Sequence, residues 1–371
     1  MRIGLKKSVS ILPFFACFVC FLFFACFLFF ASQTQALQEP VQTKRKSVYD
    51  IDAKLSVGYD DNVSDRVNDA IKSRFLQCYL TSGIDVFPTK KTLLSIKIQD
   101  GLKFFDAPKL AHESIFINNI NAYLSSMFMG FFMPEFTGEI RTRTSIHSKN
   151  NVSPSEESYL RGLGGLSMKT LISADLSAKP FYNYKATNFE DFDPYDRQTH
   201  EFGIRTDIKL LPNSTMSLQY QREMIRYNKW DEGKLIRKDT ADVLTAGIQM
   251  YKNLLLNISL SYENNRSDID KYSYKDYIIS IILAKAISQD TVFEIFTFLR
   301  SRNGVFLDDT QTPAQLDIED EEKGTVTLKI SRDITEKFAL EAQYELRRNR
   351  PIDEENVYIK NVVSVSASYK F

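Results

Sequence analysis

The stretch VYIKNVVSVSASYKF (residues 357–371) places Val357, Ile359, Val363, Val365, Ala367, Tyr369 and Phe371 on odd positions. Tyr358, Lys360, Ser364, Ser366, Ser368 and Lys370 fall on even ones. Side chains of a strand alternate between faces with period two, so one face of this segment is apolar and the other mostly polar. Only Asn361 and Val362 depart from the rule. A half-buried strand of a soluble sheet has the same pattern, so the rest of the chain has to decide what the apolar face meets.

The opposite end supplies context. Arg2, Lys6 and Lys7 precede an almost unbroken apolar run over 11–31, followed by SQTQA. A basic segment, an apolar segment and small residues at Thr34 and Ala36 describe a secretory signal peptide cleaved after Ala36. An uncleaved anchor helix is the competing reading, since about twenty apolar residues can span a bilayer. A lipoprotein signal acylated at Cys26 is a third, weakened by the apolar FLFF that follows Cys26. The Thr34/Ala36 pair favours cleavage. The expected organisation is a signal peptide over 1–36, a short periplasmic segment over 37–48 and a single domain over 49–371.

Removing 1–36 takes away Cys17, Cys20 and Cys26 and leaves Cys78, so the exported chain makes no internal disulfide. It also removes three cations and no acid, moving the formal charge from zero to −3. That balance speaks against a general nucleic-acid binder.

After residue 37 no long apolar run remains, and helical periodicity is scarce. What recurs is a segment of roughly ten residues with period-two apolar spacing, bounded by Asn, Asp, Pro, Gly and Ser. Sixteen such segments are expected: 49–60, 74–87, 92–103, 114–127, 135–147, 158–172, 174–187, 198–211, 214–227, 239–250, 254–264, 274–285, 291–302, 324–331, 337–348 and 357–371. Short connections, among them PTKK (88–91), FFMP (131–134), ISAD (172–175) and LPNS (211–214), alternate with long polar ones such as 303–323. Interleaved short turns and long loops are what an up-and-down antiparallel β-barrel needs, with both termini on one side and an even strand number. An error of one hairpin would give fourteen or eighteen strands in place of sixteen.

Individual strands indicate what each face meets. Phe136, Ile140 and Ile146 oppose Glu139, Arg141 and Arg143; Phe202, Ile204, Ile208 and Leu210 oppose Glu201, Arg205, Asp207 and Lys209. Phe338, Leu340, Ala342, Tyr344 and Leu346 oppose Glu341, Glu345 and Arg347. Charges of both signs on one face require water there. In a soluble sandwich the apolar faces would meet a second sheet; in a membrane barrel they meet lipid, and the ten charged residues just named become candidates for the lumen wall. Strand lengths near ten residues favour the barrel over a sandwich. So does the placement of aromatics such as Tyr59, Phe104, Tyr182, Tyr251 and Tyr262 near strand ends.

Two stretches carry a resemblance. AKLSVGYDDNVSD (53–65) resembles the opening strand of outer-membrane β-barrel porin families of Gram-negative bacteria, including those found beside exopolysaccharide and exosortase loci. SVSASYKF (364–371) resembles the C-terminal signal read by the barrel assembly machinery, with Phe371 last and Tyr369 two before it. The resemblance implies residence in the bacterial outer membrane. Its implied partners are membrane lipid, lipopolysaccharide and the assembly machinery, with homo-oligomerisation as a further expectation.

Catalytic chemistry is hard to find. His112, His147 and His200 are the only histidines, all near expected loops or strand ends. No Cys/His cluster has zinc spacing and no Gly-rich phosphate loop precedes a helix, so neither an enzyme nor a cofactor is expected. The acidic runs at 59–65 and 317–322 lack the spacing and central glycine of a calcium loop. Two functions follow: a porin-like channel passing small hydrophilic solutes, or a non-conducting barrel serving surface polysaccharide export or envelope assembly.

If Tyr369 and Phe371 act in assembly, deleting Phe371 lowers the amount of barrel inserted in cells. Protein refolded in vitro keeps its conductance. Quantifying heat-modifiable protein in membranes beside single-channel recordings checks both halves.

Overall fold

The computed structural model describes residues 47–62, 70–106, 114–146, 158–189, 196–228, 236–269, 272–304, 324–349 and 358–371. Signal cleavage at Ala36, the acidic run 317–322 and the long connection 305–323 lie outside them, as do His112 and His147.

Sixteen strands follow one another: β1 (Ser47–Asp60), β2 (Ser73–Thr89), β3 (Thr92–Phe105), β4 (Ser114–Ser126), β5 (Phe132–Ile146), β6 (Tyr159–Leu171), β7 (Leu176–Phe189) and β8 (Arg197–Leu211). They continue as β9 (Ser214–Tyr227), β10 (Lys238–Tyr251), β11 (Leu255–Ser267), β12 (Tyr274–Ala286), β13 (Thr291–Gly304), β14 (Gly324–Asp333), β15 (Phe338–Asn349) and β16 (Tyr358–Lys370). Each pairs antiparallel with its neighbours in sequence, and β16 pairs with β1 to close the barrel. The all-β, sixteen-strand up-and-down barrel expected from the pattern is the fold observed.

Closure runs through a continuous register from Asp52↔Lys370 to Asp60↔Val362. The Ser56 and Ser366 hydroxyls meet at 2.8 Å on its inner side, and Lys54 reaches across β16 to Glu341 at 2.7 Å. The last residue is tied in as well, since Phe371 N donates to Ile51 O at 3.0 Å. A thirteen-residue strand rises roughly 43 Å along its own axis, or about 30 Å along a barrel whose strands tilt by roughly 45°. That matches a bilayer's apolar core.

Burial is inverted relative to a soluble protein. Among the described residues only Phe75, Leu124, Phe189, Tyr227 and Ala241 are buried apolar side chains, whereas 22 polar or charged ones are buried. Leu55, Val57, Leu244, Leu260, Val363 and Val365 are each about half exposed on the outer face. An apolar exterior around a polar interior is stable only if the exterior meets lipid. The molecule is a transmembrane β-barrel.

One expected turn moves. FFMP (131–134) was expected as the β4–β5 connection, but β5 already begins at Phe132 and Pro134 pairs with Met168 inside the sheet. The chain reverses at Met129 and Gly130, whose φ angles of 50° and 80° lie in the left-handed region, closed by the Phe128↔Phe132 bridge. A glycine supplies that geometry at no steric cost, while an X-Pro pair looks like a turn and here is only a strand residue without a ladder donor.

On this fold Leu260→Arg, on the outer face of β11, lowers stability in lipid by about 2–4 kcal/mol. The adjacent, inward Ser259→Arg has a much smaller effect. Denaturant titration of both variants in bilayers measures the contrast.

Candidate functional site

Among the described residues the enclosed side of the sheet holds most of the buried polar and charged side chains, and its composition follows from strand parity. Ten residues were singled out from the sequence. Glu139, Arg141 and Arg143 sit on β5, Glu201, Arg205, Asp207 and Lys209 on β8, and Glu341, Glu345 and Arg347 on β15. In the register Glu139 is level with Asn121, Glu201 with Asn183 and Glu341 with Ser366, and within each strand the named residues share one parity. The barrel does not gather them into one cluster, because β5, β8 and β15 are not neighbours.

Their surroundings differ. Glu201 is 5% exposed and accepts from Asn183 Nδ2 at 3.1 Å, with Lys185 Nζ at 2.6 Å. Arg205 and Asp207 pair along β8 at 2.8 Å and remain more open, while Lys209 lies by the turn, level with Thr215. Glu341 takes Lys54 at 2.7 Å, with Lys329 at 3.9 Å. Arg347 pairs with Glu345, which also accepts from Gln343 Nε2 at 3.2 Å. Arg141 lies between Asn119 and Arg161 in the ladder, so two guanidinium-bearing residues stand directly opposite each other. Like charges in that relation repel.

The lumen wall is charged unevenly. On the inner side of β3–β7 stand Lys97, Lys103, Arg141, Arg143, Arg161, Lys169, Lys179 and Lys185, against Glu135 and Glu139 alone. On the inner side of β9–β12 stand Glu223, Asp239, Glu263 and Asp276, with no cation from those strands. Cations reach that sector from outside it. Arg237 pairs with Asp239, and Arg300 and Arg302 of β13 both converge on Asp276, which is fully buried. Arg302 also lies 3.8 Å over the Tyr274 ring, and Arg237 sits between Tyr227 and Tyr272 at 4.4 and 4.2 Å. Around β1–β3 and β15–β16 an open cavity of about 480 Å³ is lined by Lys54, Gln77, Lys103, Glu345, Arg347 and Lys360 among others.

Sequence reasoning missed the convergence on Asp276, because its partners are 24 and 26 residues away. It also missed aromatic rings that lie over inward glycines: the Phe75 ring occupies the space a Cβ at Gly58 would need, and Tyr79 does the same at Gly101. His200, the one described histidine, is outward. Its Nδ1 is 2.8 Å from the Tyr182 hydroxyl and its ring lies against Tyr184, which is a membrane-interface arrangement. Among the described residues no group of three or more His, Cys, Asp or Glu side chains is placed to hold a metal ion.

A closed sixteen-stranded barrel with an apolar belt and a charged interior defines a class, the transmembrane barrels of bacterial outer membranes. No protein-family model and no curated protein matches the chain. Among solved structures it is similar to an anion-selective porin from Comamonas acidovorans, with 12% identity and a TM-score of 0.49 over 88% of this chain and 100% of that one. It is also similar to OccD3 of Pseudomonas aeruginosa, with 7% identity and a TM-score of 0.47 over 90% and 95%. A third is OmpT, an outer membrane protein of Vibrio cholerae in trimer form, with 9% identity and a TM-score of 0.47 over 88% and 99%. These are likenesses of architecture and carry nothing further.

Asp276→Ala leaves the Arg300 and Arg302 guanidiniums facing each other in a buried site, and stability falls by about 3–5 kcal/mol. Asp207→Ala, which breaks the more open pair with Arg205, costs less than about 1 kcal/mol. Parallel unfolding titrations of the two variants test the difference.

Proposed function

We propose that this barrel is an outer-membrane channel through which small hydrophilic solutes diffuse passively. The observation that carries the reading is the lumen wall itself, which carries charges of both signs around its circumference and leaves an open cavity of about 480 Å³ beside β1–β3 and β15–β16. A sixteen-stranded barrel is wide enough for an aqueous channel. Charged walls of low dielectric surroundings focus the potential on whatever passes.

The uneven wall sets a transverse field. Solutes meet cations along β3–β7 and carboxylates along β9–β12, so a dipolar or zwitterionic solute is oriented as it crosses. Arg141 and Arg143 belong to the basic sector and Glu139 tempers it. Glu201, Arg205, Asp207 and Lys209 lie where the two sectors meet, and Glu341, Glu345 and Arg347 line the balanced wall beyond. Because cations outnumber Glu135 and Glu139 along β3–β7, the channel prefers anions. The kinship with porins of exopolysaccharide and exosortase loci rests on residues 53–65, and assembly by the barrel machinery rests on Tyr369 and Phe371. Association into homo-oligomers and contact with lipopolysaccharide belong to the same proposal.

In planar bilayers the refolded protein gives stepwise single-channel currents. Silence from protein that keeps heat-modifiable folding would favour the non-conducting export or assembly barrel instead. Replacing Arg141 and Arg143 together by Glu shifts the reversal potential toward cations; an unchanged potential would remove both from the conduction path.

A further inference from the structure

Four exposed cations gather on the outer surface at the loop-side ends of adjacent strands. Arg226 is next to last in β9, Lys238 is first in β10, Arg266 is next to last in β11 and Lys275 is second in β12. Arg226 and Lys238 are directly paired across the ladder, Arg266 is level with Thr240, and Lys275 is level with Asn264. All four occupy outward positions, on the same parity as the exposed Tyr220, Leu244 and Tyr277.

The patch is local. Among the described residues the other twelve strands present only two outward cations at their loop-side ends, Arg74 and Arg348. Two carboxylates lie beside it: Asp242, which accepts from the Tyr220 hydroxyl at 2.8 Å and lies 3.7 Å from Arg222, and Asp268, which accepts the backbone N–H of Lys238 at 2.9 Å, so the four cations remain in excess. Among the described residues Arg226, Lys238, Arg266 and Lys275 form no ion pair.

Its depth says what it faces. Tyr277 lies two residues inward of Lys275, Tyr262 four inward of Arg266 and Tyr220 six inward of Arg226, all on the outer face. Outward tyrosines mark the membrane–water interface, so the cations beyond them stand at headgroup depth. Four neighbouring strands span roughly 15 Å, enough to lie against a disaccharide head.

We propose that the outer surface of β9–β12 at this end is a binding site for the phosphorylated saccharide head of an outer-leaflet glycolipid. The phosphates meet Arg226, Lys238, Arg266 and Lys275, while the acyl chains run down the apolar belt past Tyr262 and Tyr277. Guanidinium and ammonium groups donate to phosphate oxygens, and two arginines allow forked contacts. The site rests on the outer-membrane reading of the barrel but is independent of whether the lumen conducts.

The probe is bis-phosphorylated, hexa-acylated lipid A titrated in detergent micelles into the purified protein, beside the same lipid stripped of both phosphates. Combining Arg226→Gln, Lys238→Gln, Arg266→Gln and Lys275→Gln weakens binding of the phosphorylated lipid at least about tenfold. Combining Arg74→Gln and Arg348→Gln changes it less than about twofold, and the phosphate-free lipid binds both proteins weakly. Heat-modifiable migration verifies folding. If the fourfold variant does not fold, Arg266→Gln and Lys275→Gln are tested singly, each expected to lower affinity by about twofold or more.

Retained affinity in the fourfold variant, or an equal loss with Arg74→Gln and Arg348→Gln, overturns the site. A change of oligomeric mass in the fourfold variant without lipid assigns the patch to a second copy of the chain and overturns it too. A barrel that binds lipid A through these residues yet is silent in bilayers would defeat the channel reading and leave this one standing.

Discussion

Everything in this molecule depends on the pairing of β16 with β1. A strand edge left open in hydrocarbon carries backbone donors and acceptors with no water to satisfy them, at a cost of several kcal/mol per group. The register from Asp52↔Lys370 to Asp60↔Val362 removes that edge. It also fixes parity for the whole wall, because a slip of one residue anywhere would turn a strand's charged set into lipid. The alternation along β16 is therefore a constraint on all sixteen strands, and the Ser56–Ser366 and Lys54–Glu341 contacts hold it from the inside.

Once parity is set, the interior becomes an electrostatic problem. Burying a carboxylate such as Asp276 or Glu201 is tolerable only with cations at hand, and the barrel supplies them from neighbouring strands: Arg300 and Arg302 to the first, Lys185 to the second. Matched pairs of this kind stiffen the wall. Along β3–β7 cations outnumber carboxylates on the same inner side, so the wall is electrostatically uneven as well as internally paired.

Much of the architecture was legible in the sequence because period two is a strong signal when repeated sixteen times. Strand boundaries fell within three residues of those observed, and the alternation could be read directly in segments such as 338–346, where every second residue is apolar. The β4–β5 turn was misplaced because Pro134 suggested a turn, whereas the reversal uses the left-handed pair Met129 and Gly130. Contacts that skip a strand or join distant residues, such as Lys54 to Glu341 and Arg302 to Asp276, have no local signature. An outward polar pair was also hidden: Asp100 sits on the lipid side of β3, where Asn118 of β4 donates to it. Alternation alone predicted an apolar residue there, and the cross-strand hydrogen bond is what makes the exception tolerable.

The central claim is that the even side of β16 faces water and the odd side faces lipid. Single cysteines at 362, 363, 364 and 365 in a Cys78→Ser background, reconstituted in vesicles and exposed to a membrane-impermeant maleimide, test it directly. The account predicts labelling at Val362→Cys and Ser364→Cys, with Val363→Cys and Val365→Cys silent. Uniform labelling of all four, or the reverse pattern, would contradict it.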